Sequence, residues 1–188
     1  MADVMQRPMS GGPLALDLAN TVWMNSEQER VDWLKSSDAV VEFCHHYGVE
    51  LSDKDIAQVR EALIASRELI RLLFELVSGT STAGAAELAA SIEDALASTE
   101  VCVTFDSAGL PIMNTVDKRS AFTLATNALL NGLEVGRESN NRLRPCSNHS
   151  CILWFLDSSK GGRRRWCSME RCGNRAKAKR HYEKSRSA

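Results

Sequence analysis

The sequence of 188 residues lacks any apolar run of the roughly 18 residues that a membrane-spanning helix needs. Its first residues, MADVMQRPMSGG, lack the apolar segment of a signal peptide. It contains no internal repeat, no Walker loop, no glycine-rich nucleotide motif and no recognisable Ser/His/Asp arrangement. We therefore expect a soluble, cytoplasmic protein that is not an enzyme and has no membrane partner.

The sequence also has almost no net charge, with a formal total of −1, but the charge is divided unevenly. Residues 141–188 contain 13 Lys and Arg against 3 Asp and Glu, a balance of +10, whereas residues 1–140 carry −11. This division favours an anionic partner for the C-terminal part, either nucleic acid or an acidic protein surface. Charge alone does not choose between these partners.

Residues 1–140 have the pattern of a helical domain. Apolar periodicity and capping residues predict helices over about 14–23, 36–48, 52–79, 85–98 and 118–137. The segments VCVTF (101–105) and LPIMN (110–114) are rich in strand-forming residues and are joined by the turn sequence DSAG. They predict one small β-hairpin within this domain.

Four cysteines in the C-terminal part carry the strongest functional signal. The pairs Cys146-x4-Cys151 and Cys167-x4-Cys172 are separated by fifteen residues. In a reducing cytosol such pairs favour metal binding over disulfides, and their spacing differs from the C-x2-C of thioredoxin-type sites. We predict one structural zinc ion with these four thiolates as ligands, which leaves no open position for catalysis. His149 is an alternative ligand.

The residues around these cysteines predict a treble-clef-like zinc finger. ILWFLD (152–157) and RRRWC (163–167) resemble two strands joined by the turn SSKGG, and a helix-forming segment follows Cys172. Because this part has few large apolar side chains, we expect it to need the metal in order to fold. Apolar residues on both faces of ILWFL also favour docking of the finger against the helical domain.

Basic side chains surround the cysteines and continue past them. Some of the arginines can offset the −2 charge of a zinc ion with four thiolates. The lysines and arginines beyond Cys172 repel one another at helical spacing unless an anion is near. Nucleic acid is the favoured anion, with a solvated tail or the acidic helical domain as alternatives. The predicted phosphate-contacting residues are Arg163, Arg164, Arg165, Arg175, Lys177, Lys179 and Arg180.

Residues 142–182 resemble the CGNR zinc finger, most specifically in Trp166-Cys167-Ser168-Met169 and Cys172-Gly173-Asn174-Arg175-x-Lys177. The segment Leu16-Asp17-x2-Asn20-Thr21 is similar to the start of the helical ABATE domain that usually precedes this finger. Proteins of this kind are bacterial and are regarded as stress-induced transcription regulators. The resemblance implies that the finger binds DNA through Arg175, Lys177 and their neighbours.

Together these observations predict a mainly α-helical ABATE-like regulatory domain at 1–140 and a CGNR-type, four-cysteine zinc finger at 141–188. The predicted function is zinc-dependent DNA binding in transcription regulation. The alternative is a protein-interaction module whose finger docks on an acidic partner or on its own helical domain.

The helical domain is expected to sense a small-molecule effector or to mediate homodimerisation. Asp17, Asn20 and Trp23 are candidates for lining a ligand pocket. The alternative is that they form buried hydrogen bonds that hold the helices together.

Overall fold

A computed structural model describes residues 12–81, 84–97, 99–105, 107–115, 121–139 and 141–186. Its α-helices are α1 (Leu14–Ala19), α2 (Ser37–His46), α3 (Ile56–Val77), α4 (Ala85–Leu96), α5 (Ala121–Glu138) and α6 (Asn174–Arg186). Its strands are β1 (Val22–Met24), β2 (Arg30–Asp32), β3 (Val101–Phe105), β4 (Pro111–Thr115), β5 (Leu143–Pro145) and β6 (Trp154–Leu156). The chain is mainly α-helical with short antiparallel hairpins, as the sequence predicts.

The helices α3 and α5 form the centre of the helical region. α3 buries Val59, Leu63, Ile70 and Phe74 at the three- and four-residue spacing of one helix face. Gly132 on α5 allows a close approach, because a Cβ atom there would lie 3.1 Å from Ile70 Cγ1. α1 packs against both helices and completes this core.

The first helix is shorter than predicted. α1 ends at Ala19, and β1 pairs with β2 in an antiparallel hairpin that the periodicity did not indicate. Both Val22 and Trp23 are buried, so the apolar run that suggested a continued helix belongs to a short buried strand. Periodicity alone cannot separate these two structures over so few residues.

A buried ion pair fixes the β1–β2 hairpin to α3. Arg67 is 1% exposed and donates from both terminal nitrogens to the carboxylate of Asp32, each at 2.7 Å. A third hydrogen bond joins Arg67 to Thr21 Oγ1 at 3.2 Å. Burial by itself raises the pKa of Asp32, but the hydrogen bonds and charge of Arg67 outweigh it, so this pKa lies below its ordinary value.

The predicted hairpin at 101–114 is confirmed, with β3 and β4 paired from Val101↔Thr115 to Phe105↔Pro111. Gly109 takes the positive φ of 77° that its turn requires. Two predicted helix boundaries, one at Ser98 and one at residues 118–120, lie outside the described residues. Across the described ranges, none of the helices combines the length and the apolar character that a membrane span requires.

We expect Asp32→Asn to lower the free energy of unfolding at neutral pH by about 3 kcal/mol, because the buried Arg67 loses the carboxylate bound to both its terminal nitrogens and keeps, among the described residues, only the half-buried Glu68 as a counterion. The folded-state pKa of Asp32 lies below an unfolded value of about 3.9. The pair therefore stabilises the protein above that pH, and its contribution is lost as the pH falls through the folded pKa. Urea unfolding should show the wild-type advantage shrinking below about pH 4.

The control for this experiment is Glu138→Gln, because the Arg137–Glu138 pair is exposed. It should change the free energy of unfolding by no more than about 0.5 kcal/mol. A wild-type advantage over Asp32→Asn that stays constant between about pH 7 and pH 3 would contradict the role of the carboxylate charge.

Candidate metal centre and the docked finger

Four cysteine sulfurs converge in the C-terminal part of the chain. The Sγ atoms of Cys146, Cys151, Cys167 and Cys172 all lie within 4.8 Å of one another. The Cys151–Cys167 and Cys167–Cys172 sulfur distances are both 3.7 Å, far longer than the roughly 2.0 Å of a disulfide. Zinc–sulfur bonds of about 2.3 Å give a tetrahedron with edges of about 3.8 Å. The cluster therefore fits one structural zinc ion, and the exposed His149 is not part of it.

Short backbone turns position the sulfurs. In the first cysteine pair, the Cys151 N–H donates to the Asn148 carbonyl at 2.8 Å. In the second, the Cys172 N–H donates to the Ser168 carbonyl at 3.1 Å, and Ser168 Oγ accepts from the Arg171 N–H at 3.3 Å. These bonds close both turns through local groups, so each pair of cysteines is held at a fixed separation.

Hydrogen bonds to sulfur prepare the cluster for a cation. The Cys167 N–H lies 3.5 Å from Cys146 Sγ, and Arg175 Nη2 donates to Cys172 Sγ at 3.3 Å. Donors of this kind offset the negative charge of a thiolate site. The donor set therefore suits Zn²⁺, which prefers thiolate ligands.

The segment between the two cysteine pairs is organised around the buried carboxylate of Asp157. The prediction of a strand at 163–167 is wrong. β6 pairs with β5 instead. The carboxylate of Asp157 accepts from Ser159 N–H at 3.0 Å, from Ser159 Oγ at 2.6 Å and from Arg164 N–H at 2.9 Å. Backbone groups held by a side chain are not available to a strand ladder. The Asp-x-Ser sequence was the signal for this loop.

The finger docks on the helical region through β6. Asn20 Nδ2 donates to the Trp154 carbonyl at 3.0 Å, and Asn20 Oδ1 accepts from the Trp154 N–H at 2.9 Å. The Trp154 ring is 4% exposed, belongs to the helical core and lies edge-on to Phe74 at 5.6 Å between centroids. Arg71 on α3 also donates to the Ile152 carbonyl at 3.1 Å. Helical region and finger thus share one core. Nothing in the sequence singled out Arg71.

The candidate pocket residues Asp17, Asn20 and Trp23 all line a cleft of about 590 Å³ between α1 and the finger. Asp17 is 5% exposed and accepts a hydrogen bond from the Tyr47 hydroxyl at 2.9 Å. Asp17 and Asn20 therefore make internal hydrogen bonds and also lie at the wall of the cleft.

Of the seven predicted phosphate-contacting residues, two make side-chain hydrogen bonds within the finger and five are exposed without such bonds to the described residues. Arg164 is bound within the finger, where its guanidinium donates to the carbonyls of Trp166, at 2.8 Å, and Cys167, and lies over the Phe155 ring at 4.9 Å. Arg175 is exposed but holds the Cys172 sulfur. The other residues of the set are exposed: Arg163, Arg165, Lys177, Lys179 and Arg180.

Comparison with known families gives two matches. Residues 12–111 match the ABATE model, described as "Putative stress-induced transcription regulator", and residues 142–185 match the CGNR zinc finger. The first match covers more than half of the chain, and the second contains all four clustered cysteines. Both are regulator or zinc-finger families, not enzyme families. No curated protein matches the chain.

We expect Cys172→Ser to abolish stoichiometric zinc binding and to unfold the finger, because structural zinc contributes roughly 10–16 kcal/mol of binding free energy in zinc-finger peptides. Elemental analysis measures the zinc, and tryptophan fluorescence, to which Trp154 and Trp166 of the finger contribute together with Trp23 and Trp33, reports the unfolding. Cys102→Ser is the control, since Cys102 is a half-buried thiol of β3 outside the cluster. Full zinc content in Cys172→Ser would contradict the assignment of that sulfur.

We expect Asn20→Ala to lower the free energy of unfolding by about 1–3 kcal/mol, because the N–H and carbonyl of Trp154 lose their partners. Urea unfolding at neutral pH measures this, with zinc content as a check that the finger keeps its metal. Gln58→Ala removes an exposed amide and serves as the control. Equal stability of the two variants would show that the Asn20 bonds do not hold the finger in place.

Proposed function

Because the chain belongs to the ABATE family and ends in a CGNR zinc finger, we propose that it regulates transcription by binding DNA through that finger. In this proposal a structural zinc ion is held by Cys146, Cys151, Cys167 and Cys172. Four thiolates leave no open coordination position, so the zinc stabilises the finger and takes no part in a reaction.

The main support for DNA binding is the polar surface of α6. Every described side chain of this helix is exposed except Ala176, which is half-buried. Lys177 and Arg180 lie on one face, and neither pairs with an acidic group among the described side chains. A helix that is polar on all sides gains little from packing, and like charges at this spacing repel. Phosphate groups relieve that repulsion and release counterions on binding.

The exposed basic residues form the proposed phosphate surface, namely Arg163, Arg165, Lys177, Lys179 and Arg180. Arg175 joins them with the donors that its bond to the Cys172 sulfur leaves over, as the CGNR resemblance implies. Arg164 positions the finger backbone instead, because its guanidinium is already bonded to two carbonyl groups.

A second candidate function is a protein-interaction module, and the docking of Trp154 on the helical core favours it. The finger docks through apolar and backbone contacts, however. Among the described side chains, no ion pair joins a basic residue of the finger to an acidic residue of the helical region. The basic residues therefore keep their charge for an anionic partner outside the chain.

We expect Lys177→Glu/Arg180→Glu to weaken binding to a mixed-sequence DNA duplex at least tenfold at about 0.1 M salt, because two phosphate contacts become repulsive. Fluorescence anisotropy at several salt concentrations provides the measurement. Six phosphate contacts give the wild type a log–log salt slope of about −5, and losing two reduces it by about 2.

The matched control is Lys54→Glu/Arg137→Glu, which changes the net charge equally in the helical region and should keep wild-type affinity. Wild-type affinity and salt slope in Lys177→Glu/Arg180→Glu, with full zinc content, would contradict α6 as the DNA-binding surface. No binding of the duplex by the wild-type protein would instead support the interaction module.

A further inference from the structure

The cleft between the first helix and the finger has the size and lining of a small-molecule site. Its volume of about 590 Å³ lies within the roughly 300–1,000 Å³ of ligand pockets. Four aromatic side chains line it, two from the helical region, Trp23 and Trp33, and two from the finger, Trp154 and Phe155. Trp23, Trp154 and Phe155 are 4–8% exposed, so packing fixes their positions. A cleft lined by aromatic side chains favours the binding of a ligand with a planar ring.

The cations at the cleft differ in what they already bind. Arg164 already donates to two carbonyl groups and Arg175 to the Cys172 sulfur, so each guanidinium has only part of its donors left. Arg171 also lines the cleft, and its guanidinium makes no hydrogen bond or ion pair with the rest of the described chain. A guanidinium fork matches a carboxylate through two parallel hydrogen bonds.

The negative groups of the cleft limit the charge of a ligand. Asp17 and Glu170 line it, as do Cys167 and Cys172 of the thiolate cluster. With zinc bound, four thiolates keep a formal charge of −2, which repels a polyanion such as a nucleotide triphosphate. A single carboxylate placed at Arg171 avoids most of this repulsion.

We propose that this cleft binds a small planar aromatic carboxylate, with its ring against Trp23 and Trp33 of the helical region and its carboxylate on Arg171 of the finger. Such a ligand touches the helical region and the finger at once. It therefore binds the docked arrangement in preference to one in which the finger has separated, and it stabilises docking. Ligand binding at this site does not require DNA.

The test uses the zinc-loaded full chain without DNA, titrated by calorimetry with 2-naphthoate and with the neutral 2-naphthamide. Naphthoate should bind at least tenfold more tightly than the amide. Arg171→Gln should remove that preference while keeping its zinc and its melting temperature, because Arg171 is exposed. Arg186→Gln loses an exposed arginine outside the cleft and should retain the wild-type preference.

Three results would overturn the proposal: no naphthoate binding up to about 5 mM, equal affinity for naphthoate and naphthamide, or an unchanged preference in Arg171→Gln. None of them bears on the DNA surface, since α6 residues are intact and DNA is absent. Conversely, a failure of DNA binding leaves the naphthoate measurement unaffected.

Discussion

The convergence of four sulfur atoms is the constraint on which the C-terminal structure depends. The finger has little core of its own, because Leu143 and Trp154 belong to the core of the helical region. Its remaining order comes from local hydrogen bonds at the two cysteine turns and around Asp157. Such bonds are individually weak against the entropy of ordering a chain. A metal ion joined to all four sulfurs supplies the missing free energy.

The same constraint links the metal to the helical region. β6 begins three residues after Cys151, and its first residue, Trp154, is held by Asn20 and packed on Phe74. A finger closed by zinc thus presents one face to the helical core and leaves the polar helix α6 in solvent. The cleft lies between the helical region and the finger. Its lining residues therefore come together only when zinc has closed the finger and the finger is docked.

The sequence predicted those features that depend on local patterns. Cysteine spacing identified the cluster, and apolar periodicity identified α3, on which Val59, Leu63 and Ile70 are buried as expected whereas Val77 is exposed. The prediction was wrong where a short segment is compatible with more than one secondary structure. The first two residues of β1 were predicted as helix, and residues 163–167, in the loop around Asp157, were predicted as strand. The apolar faces of ILWFL indicated docking, but Asn20 and Arg71 lie 134 and 81 residues away from their finger partners. No local sequence pattern encodes such long-range contacts. The domain boundary near residue 140 stays a prediction.

The most direct test of the central claim is X-ray absorption at the zinc edge of the purified full chain. We predict a single shell of four sulfur atoms at about 2.3 Å. A shell that contains nitrogen or oxygen, or a folded chain without metal, would contradict a finger closed by four cysteines.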